Sequence, residues 1–396
     1  MSGVDVRRDA YGRKGPSVDV GAIEQELAQL WRMPTVVGLR ETDIVPTRTS
    51  VLNLVVHSSD ESIAKRTSTI INELAANHPS RVITFTATSD PRAFDDDLDA
   101  HVSTHCHTAS GERFASCYEK IEITSPPDSL DELPSLIVAL AIPDLPTFVW
   151  WPGQPPLDDK RFRRVALAAN RLIVDSLDFE HCATNMQRVA ELCVGVAKQC
   201  VLSDLNWARL TPWRSMMSQF FDMPDCRWAL DHVTAMKLEY GHTKNQRLNA
   251  AQALLFAGWL GSRLGWTTDQ QLADQAERGT CSTRDQAGNT IAIEMVDQST
   301  TSQFNGFLLG ATLTANDGQR SGTFEISRIG DDLTTVKMTA TLDNNVIAEH
   351  AMRSAPTNLS KLLMRELENT MPERLYQEAL AEAGHYASII NFRRRS

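Results

Sequence analysis

The chain has 396 residues, 42% of them hydrophobic and 22% charged, with 39 basic against 50 acidic side chains and a net charge of −11. This is ordinary globular composition; the length suits two domains better than one core, and the acidic balance excludes a phosphate backbone as the main partner. Residues 1–15 hold no apolar signal core and no run approaches about 18 consecutive apolar residues. A cytoplasmic chain that binds no nucleic acid and spans no membrane is therefore expected, its seven scattered cysteines reduced.

In chain order, residues 1–20 read as a flexible lead. Ala22–Trp31 predicts a short helix with Ile23, Leu27, Leu30 and Trp31 on one side. Thr49–His57 is strand-like, Asp60–Asn77 is helical with Ile63, Ile70, Ile71 and Leu74 inward, and Arg81–Thr88 is a second strand. The three form a β-α-β unit. Phe114–Thr124 alternates as a strand, Leu130–Leu140 and Phe162–Ala169 are helical, and Thr147–Trp151 and Leu172–Val174 are short strands. Alternating strands and helices over 21–180 predict an α/β N-terminal domain with a mostly parallel sheet.

The pattern changes over 181–396. Asn185–Val201 predicts a helix with Val189, Leu192, Cys193, Val196 and Cys200 inward, and Val233–Tyr240 a strand. Asn249–Leu264 is a strongly apolar helix in which Gly258, Gly261 and Gly265 admit a neighbouring backbone. Short strands follow at Thr290–Val296, Phe304–Thr314, Gly322–Ser327, Thr334–Leu342 and Val346–Arg353, then helices at Asn358–Thr370 and Pro372–Gly384. This predicts an α+β C-terminal domain with an antiparallel meander and flanking helices.

Between these patterns lies the segment Asp204–Asp222, dense in Trp and Arg. Thr211 is placed to cap a helix with Pro212 in its first position. Trp213, Met216, Met217, Phe220 and Phe221 then form one apolar stripe. An aromatic stripe at this spacing reads as core packing; the alternative is an anchor for another protein, since Trp and Arg dominate binding hot spots. In Trp150-Trp151 adjacent strand side chains point to opposite faces, so one packs inward and the other meets a helix, a second domain or a partner.

The other chemistry-bearing residues give weaker patterns. His101, His105, Cys106, His107 and Cys117 are zinc-type donors, with His101 and His105 at helical i, i+4 spacing, but only half of a structural zinc pattern is present and no metal is expected. Cys193 and Cys200, seven residues apart on one helix, are separated by about 10 Å and read as core thiols. No glycine-rich phosphate loop and no nucleophile elbow is present, so neither a cofactor nor a catalytic centre is expected. Asp175-Ser176 ends a strand, where α/β sheets bind ligands. Asp95–Asp99 reads as a solvated acidic loop, and Arg393-Arg394-Arg395 is too short to change the charge balance.

Four strings occur together and in order: Ile142-Pro-Asp-Leu-Pro-Thr-Phe-Val-Trp-Trp-Pro-Gly153, Arg171-Leu-Ile-Val-Asp-Ser176, Asn206-Trp-Ala-Arg-Leu-Thr-Pro-Trp-Arg214 with Phe220-Phe-Asp222, and Ala257-Gly-Trp-Leu-Gly-Ser-Arg-Leu-Gly-Trp266. Over roughly 45–390 the sequence resembles the OpcA family, the glucose-6-phosphate dehydrogenase assembly proteins. The resemblance implies a non-catalytic protein that binds glucose-6-phosphate dehydrogenase and promotes its active oligomer, tuning the oxidative pentose phosphate pathway and NADPH supply. Trp150, Trp151, Trp207, Arg209, Trp213 and Arg214 are then expected as partner-binding anchors or the frame that shapes them. Redox control by cysteines toward the C-terminus, linked to photosynthetic members, lacks its residues here, since the last cysteine is Cys281. The rival is an enzyme of sugar-phosphate metabolism using Asp175-Ser176; a scaffold for some other enzyme is a third reading.

Overall fold

The computed structural model describes residues 4–10, 19–32, 45–48, 50–90, 99–108, 114–268, 279–330, 333–355, 357–369, 371–390 and 392. The first half runs β1 (Val4–Ala10), α1 (Val20–Leu30), β2 (Val45–Arg48), β3 (Leu52–Ser58), α2 (Glu61–Asn77), β4 (Ser80–Ala87), β5 (Asp99–Thr108), β6 (Phe114–Ser125), α3 (Leu133–Leu140), β7 (Thr147–Trp150), α4 (Lys160–Leu167), β8 (Arg171–Val174) and α5 (Cys182–Val196). The second half runs β9 (Val201–Asp204), α6 (Leu205–Arg209), α7 (Thr211–Phe220), β10 (Val233–His242), α8 (Ala251–Leu264), β11 (Thr280–Arg284), β12 (Thr290–Ser299), β13 (Leu308–Asn316), β14 (Ser321–Ile329), β15 (Thr335–Leu342), β16 (Asn345–Arg353), α9 (Leu359–Glu368) and α10 (Arg374–Ile389).

These elements form an α/β arrangement with two mixed sheets. The chain divides into two compact units that interleave along the sequence. The first comprises Met1–Val174, Val196–Ser203 and Leu359–Met371; the second comprises Asp175–Gly195, Asp204–Asn358 and Pro372–Ser396. A single cut near residue 180 does not describe that exchange of segments. Among the described residues no helix is long and apolar enough to cross a membrane.

In the first unit the strand order is β1-β5-β6-β4-β3-β7-β8-β9, with β2 also on β6. The β2–β6, β4–β6, β3–β4, β3–β7 and β7–β8 ladders are parallel, and β1–β5 and β5–β6 are antiparallel. Every residue of β3 is buried, as its run of Val and Leu requires of a strand covered on both faces. The Asp60 carboxylate caps α2, accepting from the Ser62 and Ile63 amides at 2.9 and 3.0 Å.

Three expectations for this unit are corrected. The lead holds a strand: Val4–Ala10 pairs along β5 from Val4↔Cys106 to Ala10↔Ala100. His101 and His105 lie on β5, not on a helix, and β5 puts Cys106 opposite Cys117 of β6. Those two are disulfide-bonded with Cα atoms 4.1 Å apart, so they are not reduced thiols. The pairing brings together residues that the sequence assigned to different kinds of element. Residues 95–98 of the acidic run and the tail Arg393–Arg395 lie outside the described residues, as do 1–3 and 11–18 of the lead.

In the second unit the order is β11-β12-β10-β13-β14-β15-β16. β10 runs parallel to β12, and β13 to β16 follow one another antiparallel. The hairpin between β15 and β16 turns at Asp343 and Asn344, with φ of 45° and 65°, the left-handed pair that a tight two-residue turn needs. Leu238, Ile293, Leu313, Phe324, Ile326 and Val336 bury one sheet face. Onto it α7 lays Phe220 and Phe221, whose rings sit 5.6 and 4.9 Å from Phe324. Each such side chain removed from water stabilises by about 1.5–3 kcal/mol. Helix α8 is buried from Ala251 to Gly261 and packs on α10, where a Cβ at Gly258 would meet the Ala379 carbonyl and lie 2.7 Å from the Ala383 amide nitrogen.

Candidate functional site around Asp175 and Arg209

The Trp- and Arg-rich segment begins at the end of β9. Asp204 caps α6, its Oδ1 accepting from the Asn206 amide at 2.8 Å. Leu210, in helical conformation, links α6 directly to α7, which starts at Thr211, so Pro212 sits in the second position. Thr211 is not the cap expected from the sequence; its hydroxyl instead accepts from Arg214 Nη2 at 3.2 Å. Of the apolar stripe, Trp213, Met216, Met217 and Phe220 are buried and Phe221 is half-buried.

Asp175 follows β8 and caps the single turn Ser176–Asp178, accepting from the Leu177 amide at 3.1 Å. Arg209 of α6 meets it as a fork: Nη1 donates to Oδ1 at 2.6 Å and Nη2 to Oδ2 at 2.7 Å, with side chains only 9% and 6% exposed. The Ser176 amide donates to Asp204 Oδ1 at 2.9 Å. Asn206 Nδ2 donates to Ser176 Oγ at 3.1 Å, and Gln252 Nε2 to Asn206 Oδ1 at 2.8 Å. Gln252 Oε1 in turn accepts from the Leu308 amide at 2.7 Å, and Asn249 Nδ2 donates to the Ser176 and Leu177 carbonyls, both at 2.9 Å. A continuous buried polar lattice thus joins two turns, the start of α8 and β13.

One atom of that lattice is left out. Asp204 Oδ2 is buried with no hydrogen-bond partner. Burial, and then the neighbouring Asp175 charge, push the Asp204 carboxyl up to about 7.

Beside the lattice, Trp207 Nε1 donates to Glu373 Oε1 at 2.7 Å and its ring lies 5.7 Å from Tyr376. The Arg214 guanidinium stacks 3.4 Å from the centre of the Trp207 indole and donates to the Trp207 carbonyl at 2.8 Å. Its nearest acid, Glu373, is 4.0 Å away, and burial lowers Arg214 to about 10. Trp213 lies under Arg328, 5.6 Å from the ring centre.

Trp150 and Trp151 belong to the first unit. Trp151 stacks on His57 at 3.9 Å and meets Phe162 edge-on at 4.8 Å. Trp150 is opposite Val56 in the β3–β7 register and so points to the other face. Both indole nitrogens and His57 Nδ1 are buried without partners, and burial lowers His57 to about 4. Trp150 is 1% exposed, and Trp151, Trp207 and Trp213 are each 2% exposed. The four tryptophans are thus interior, and Arg209 and Arg214 are held by groups of the chain itself.

Trp207, Arg209, Trp213, Arg214 and Asp175-Ser176 share one unit, so residues that supported rival readings form one structure. The sequence reading missed Asn206, Asn249, Gln252 and Glu373. Asn249 and Gln252, three apart at the start of an otherwise apolar helix, carried a signal: polar residues on a helix buried all round need internal partners. Ser176 is fully buried, so the lattice sets a protonatable carboxyl and fixed dipoles in the interior of the unit. Cys193 and Cys200 are buried and form no disulfide, and the Cys200 thiol donates to the Val201 carbonyl at 3.6 Å. Among the described residues no three His, Cys, Asp or Glu side chains are placed to hold a metal.

Residues 71–191 match the family model of the glucose-6-phosphate dehydrogenase subunit N-terminal domain, and residues 200–380 match that of its C-terminal domain. Two curated relatives are described as candidate OxPP cycle proteins, OpcA. The Synechocystis protein is 32% identical over 199 residues, covering 50% of this chain and 40% of the relative. The Nostoc punctiforme protein is 34% identical over 212 residues, covering 53% and 42%. The matched stretch therefore spans less than half the length of either relative. Among solved structures, a 3-ketoreductase from Actinomadura kijaniata with bound NADP superposes with a TM-score of 0.46 at 9% identity, covering 86% of this chain and 96% of the other. That score is too low for any conclusion to rest on it.

Proposed function

The chain belongs to the OpcA family of glucose-6-phosphate dehydrogenase subunit proteins, and from that premise we propose that it is a non-catalytic partner of glucose-6-phosphate dehydrogenase. It binds the enzyme and favours its active oligomer, and so acts on the oxidative pentose phosphate pathway and NADPH supply. A cytoplasmic setting, where that enzyme works, is part of the same proposal.

The closed Asp175-Ser176 turn carries the non-catalytic part of this reading. It stands where an α/β sheet would take a ligand, yet Arg209 already forks onto Asp175, and Asn206, Asn249 and Asp204 take up Ser176. A sugar phosphate entering there would meet two carboxylates and displace a buried ion pair, against several kcal/mol. An activator needs no such opening. It shifts its partner's equilibrium by binding the active state more tightly, and each tenfold shift takes about 1.4 kcal/mol of preference. In this account Trp207, Arg209, Trp213 and Arg214 are the rigid frame that shapes the unit, and Trp150 and Trp151 serve the other unit in the same way.

Initial rates test both readings. Purified chain added to glucose-6-phosphate dehydrogenase is expected to lower its KM for glucose 6-phosphate or raise its rate. Turnover of a sugar phosphate by the chain alone would support the enzyme reading instead.

A further inference from the structure

Cys106 and Cys117 stand directly opposite each other on β5 and β6, joined by their disulfide. Four strands meet at that bond, because Val4 of β1 pairs with Cys106 and Arg48 of β2 pairs with Cys117. The parallel core does not reach this end of the sheet. β4 lies along β6 only from Glu119 to Ser125, and β2 is only four residues long. Next to Cys106 on the same face of β5 is Thr104, whose Oγ1 is buried without a partner. Apolar burial alone therefore holds this end weakly, and the covalent bond carries much of the attachment.

Among the described residues, Trp31 at the C-cap of α1 is the half-buried side chain packed against the disulfide. Its Nε1 donates to Glu119 Oε1 at 2.7 Å. Glu119 Oε2 accepts from Arg81 Nε and Nη2 at 3.0 and 2.8 Å, and Arg81 also pairs with Glu24 of α1. Helix α1 is thus tied at two points beside the bond. Cys106 is 6% exposed and Cys117 0%, so an attacking thiolate is directed to Cys106 Sγ, with Trp31 to be moved aside.

We propose that Cys106–Cys117 is a redox-sensitive clasp on the outer end of the first unit's sheet, with Trp31 as its gate. A dithiol reductant opens it in two exchanges. One thiolate of the reductant attacks Cys106 Sγ, the S–S bond breaks, and Cys117 leaves as a thiolate that takes up a proton. The second thiolate of the reductant then attacks the mixed disulfide, and Cys106 leaves in the same way. The chain gains two electrons and two protons, and the dithiol departs as a disulfide. Burial makes Cys117 a poor leaving group, which slows exchange until α1 shifts. Reduction frees the β1-β5-β6-β2 end, while β3, buried along its whole length, keeps the parallel core in place. A cytosolic disulfide is as a rule transient or redox-sensing. The clasp's use in the cell therefore rests on the cytoplasmic setting proposed above; its opening in vitro does not.

The test follows the purified full chain by hydrogen exchange before and after dithiothreitol, with thiols counted by alkylation and mass, and with melting temperature as a check on folding. The oxidised chain is expected to hold the Cys106–Cys117 bond. Reduction should speed exchange over 4–6, 45–48, 104–108 and 114–118 by about a hundredfold, the factor that closing so short a loop supplies. Exchange in β3 and β7 should stay unchanged. Trp31→Ala should be reduced about tenfold faster, since the cover is lost together with a bond to a carboxylate. If that variant fails to fold, Trp31→Phe, which keeps a ring and loses the indole N–H, takes its place. Thiols at both positions in chain purified without reductant overturn the clasp, as does a reduced chain that exchanges like the oxidised one or unfolds throughout. A wild-type reduction rate in the folded Trp31 variant overturns the gate.

Discussion

Arg209 and Asp175 satisfy each other so fully that removing either strands a buried charge. Arg209→Ala is expected to cost about 3–5 kcal/mol, the range for breaking a buried pair, and to lower the melting temperature markedly. Arg209→Lys keeps the charge without the fork and should fall between. A surface anchor at Arg209 would leave the fold intact when truncated; the buried fork predicts a loss of stability. Asp204 gives a second test. Its carboxyl rises from the ordinary aspartate value of 3.8 to about 7 in the folded chain, so between those pH values the folded state binds more protons than the unfolded one. Its contribution to stability is present at low pH and is lost as pH rises toward 7. His57 works in the opposite sense, since burial lowers it from 6.5 to about 4 and its contribution is lost as pH falls through that window. The stability difference between Asp204→Asn and wild type isolates the aspartate: it should shift in favour of the variant as pH rises from about 4 to about 7, read from urea midpoints. A difference flat across that range would contradict the buried-carboxyl account. The sequence flagged Trp207, Arg209 and Asp175 but not their mutual burial, because core anchors and hot-spot anchors draw on the same residue types.

Among the elements, α8 is the one whose sequence said most about its packing. Gly258 in an apolar helix implied a close neighbour, and α10 supplies it, with the Ala379 carbonyl and Ala383 amide in the way of any Cβ. Helix propensity favours Gly258→Ala by about 1 kcal/mol, whereas overpacking against backbone costs about 1–3 kcal/mol. The clash should win, because backbone held inside α10 cannot turn aside, and calorimetry should show a lower melting temperature. An unchanged or higher one would contradict the packing described. Gly265 ends the same helix at φ of 67°, a conformation that favours glycine. Other elements were less legible. β5 was not read as a strand, and His101 and His105 suggested a helix, because a strand with polar residues on both faces shows no alternation. β9 and β11 were missed, each only four or five residues long. Thr211 carried the residue type of a cap, but the preceding Leu210 is already helical, so α6 and α7 follow without the extended residue that a cap needs.

At the scale of the molecule, the change from alternating strands and helices to a meander was visible in the sequence, and the family could be named from strings such as Trp207-Ala-Arg-Leu-Thr-Pro-Trp-Arg214. The exchange of segments between the two units was not visible, since α9 and residues 196–203 carry no local mark of the unit to which they belong. Function was legible only through the family; the lattice around Asp175 explains why these residues hold their places. Sedimentation of glucose-6-phosphate dehydrogenase with and without this chain, with activity measured on the same fractions, tests the central claim most directly. The account predicts co-sedimentation, a shift of the dehydrogenase to its larger oligomer, and a lower KM or higher rate in those fractions. Independent sedimentation with unchanged kinetics would contradict it.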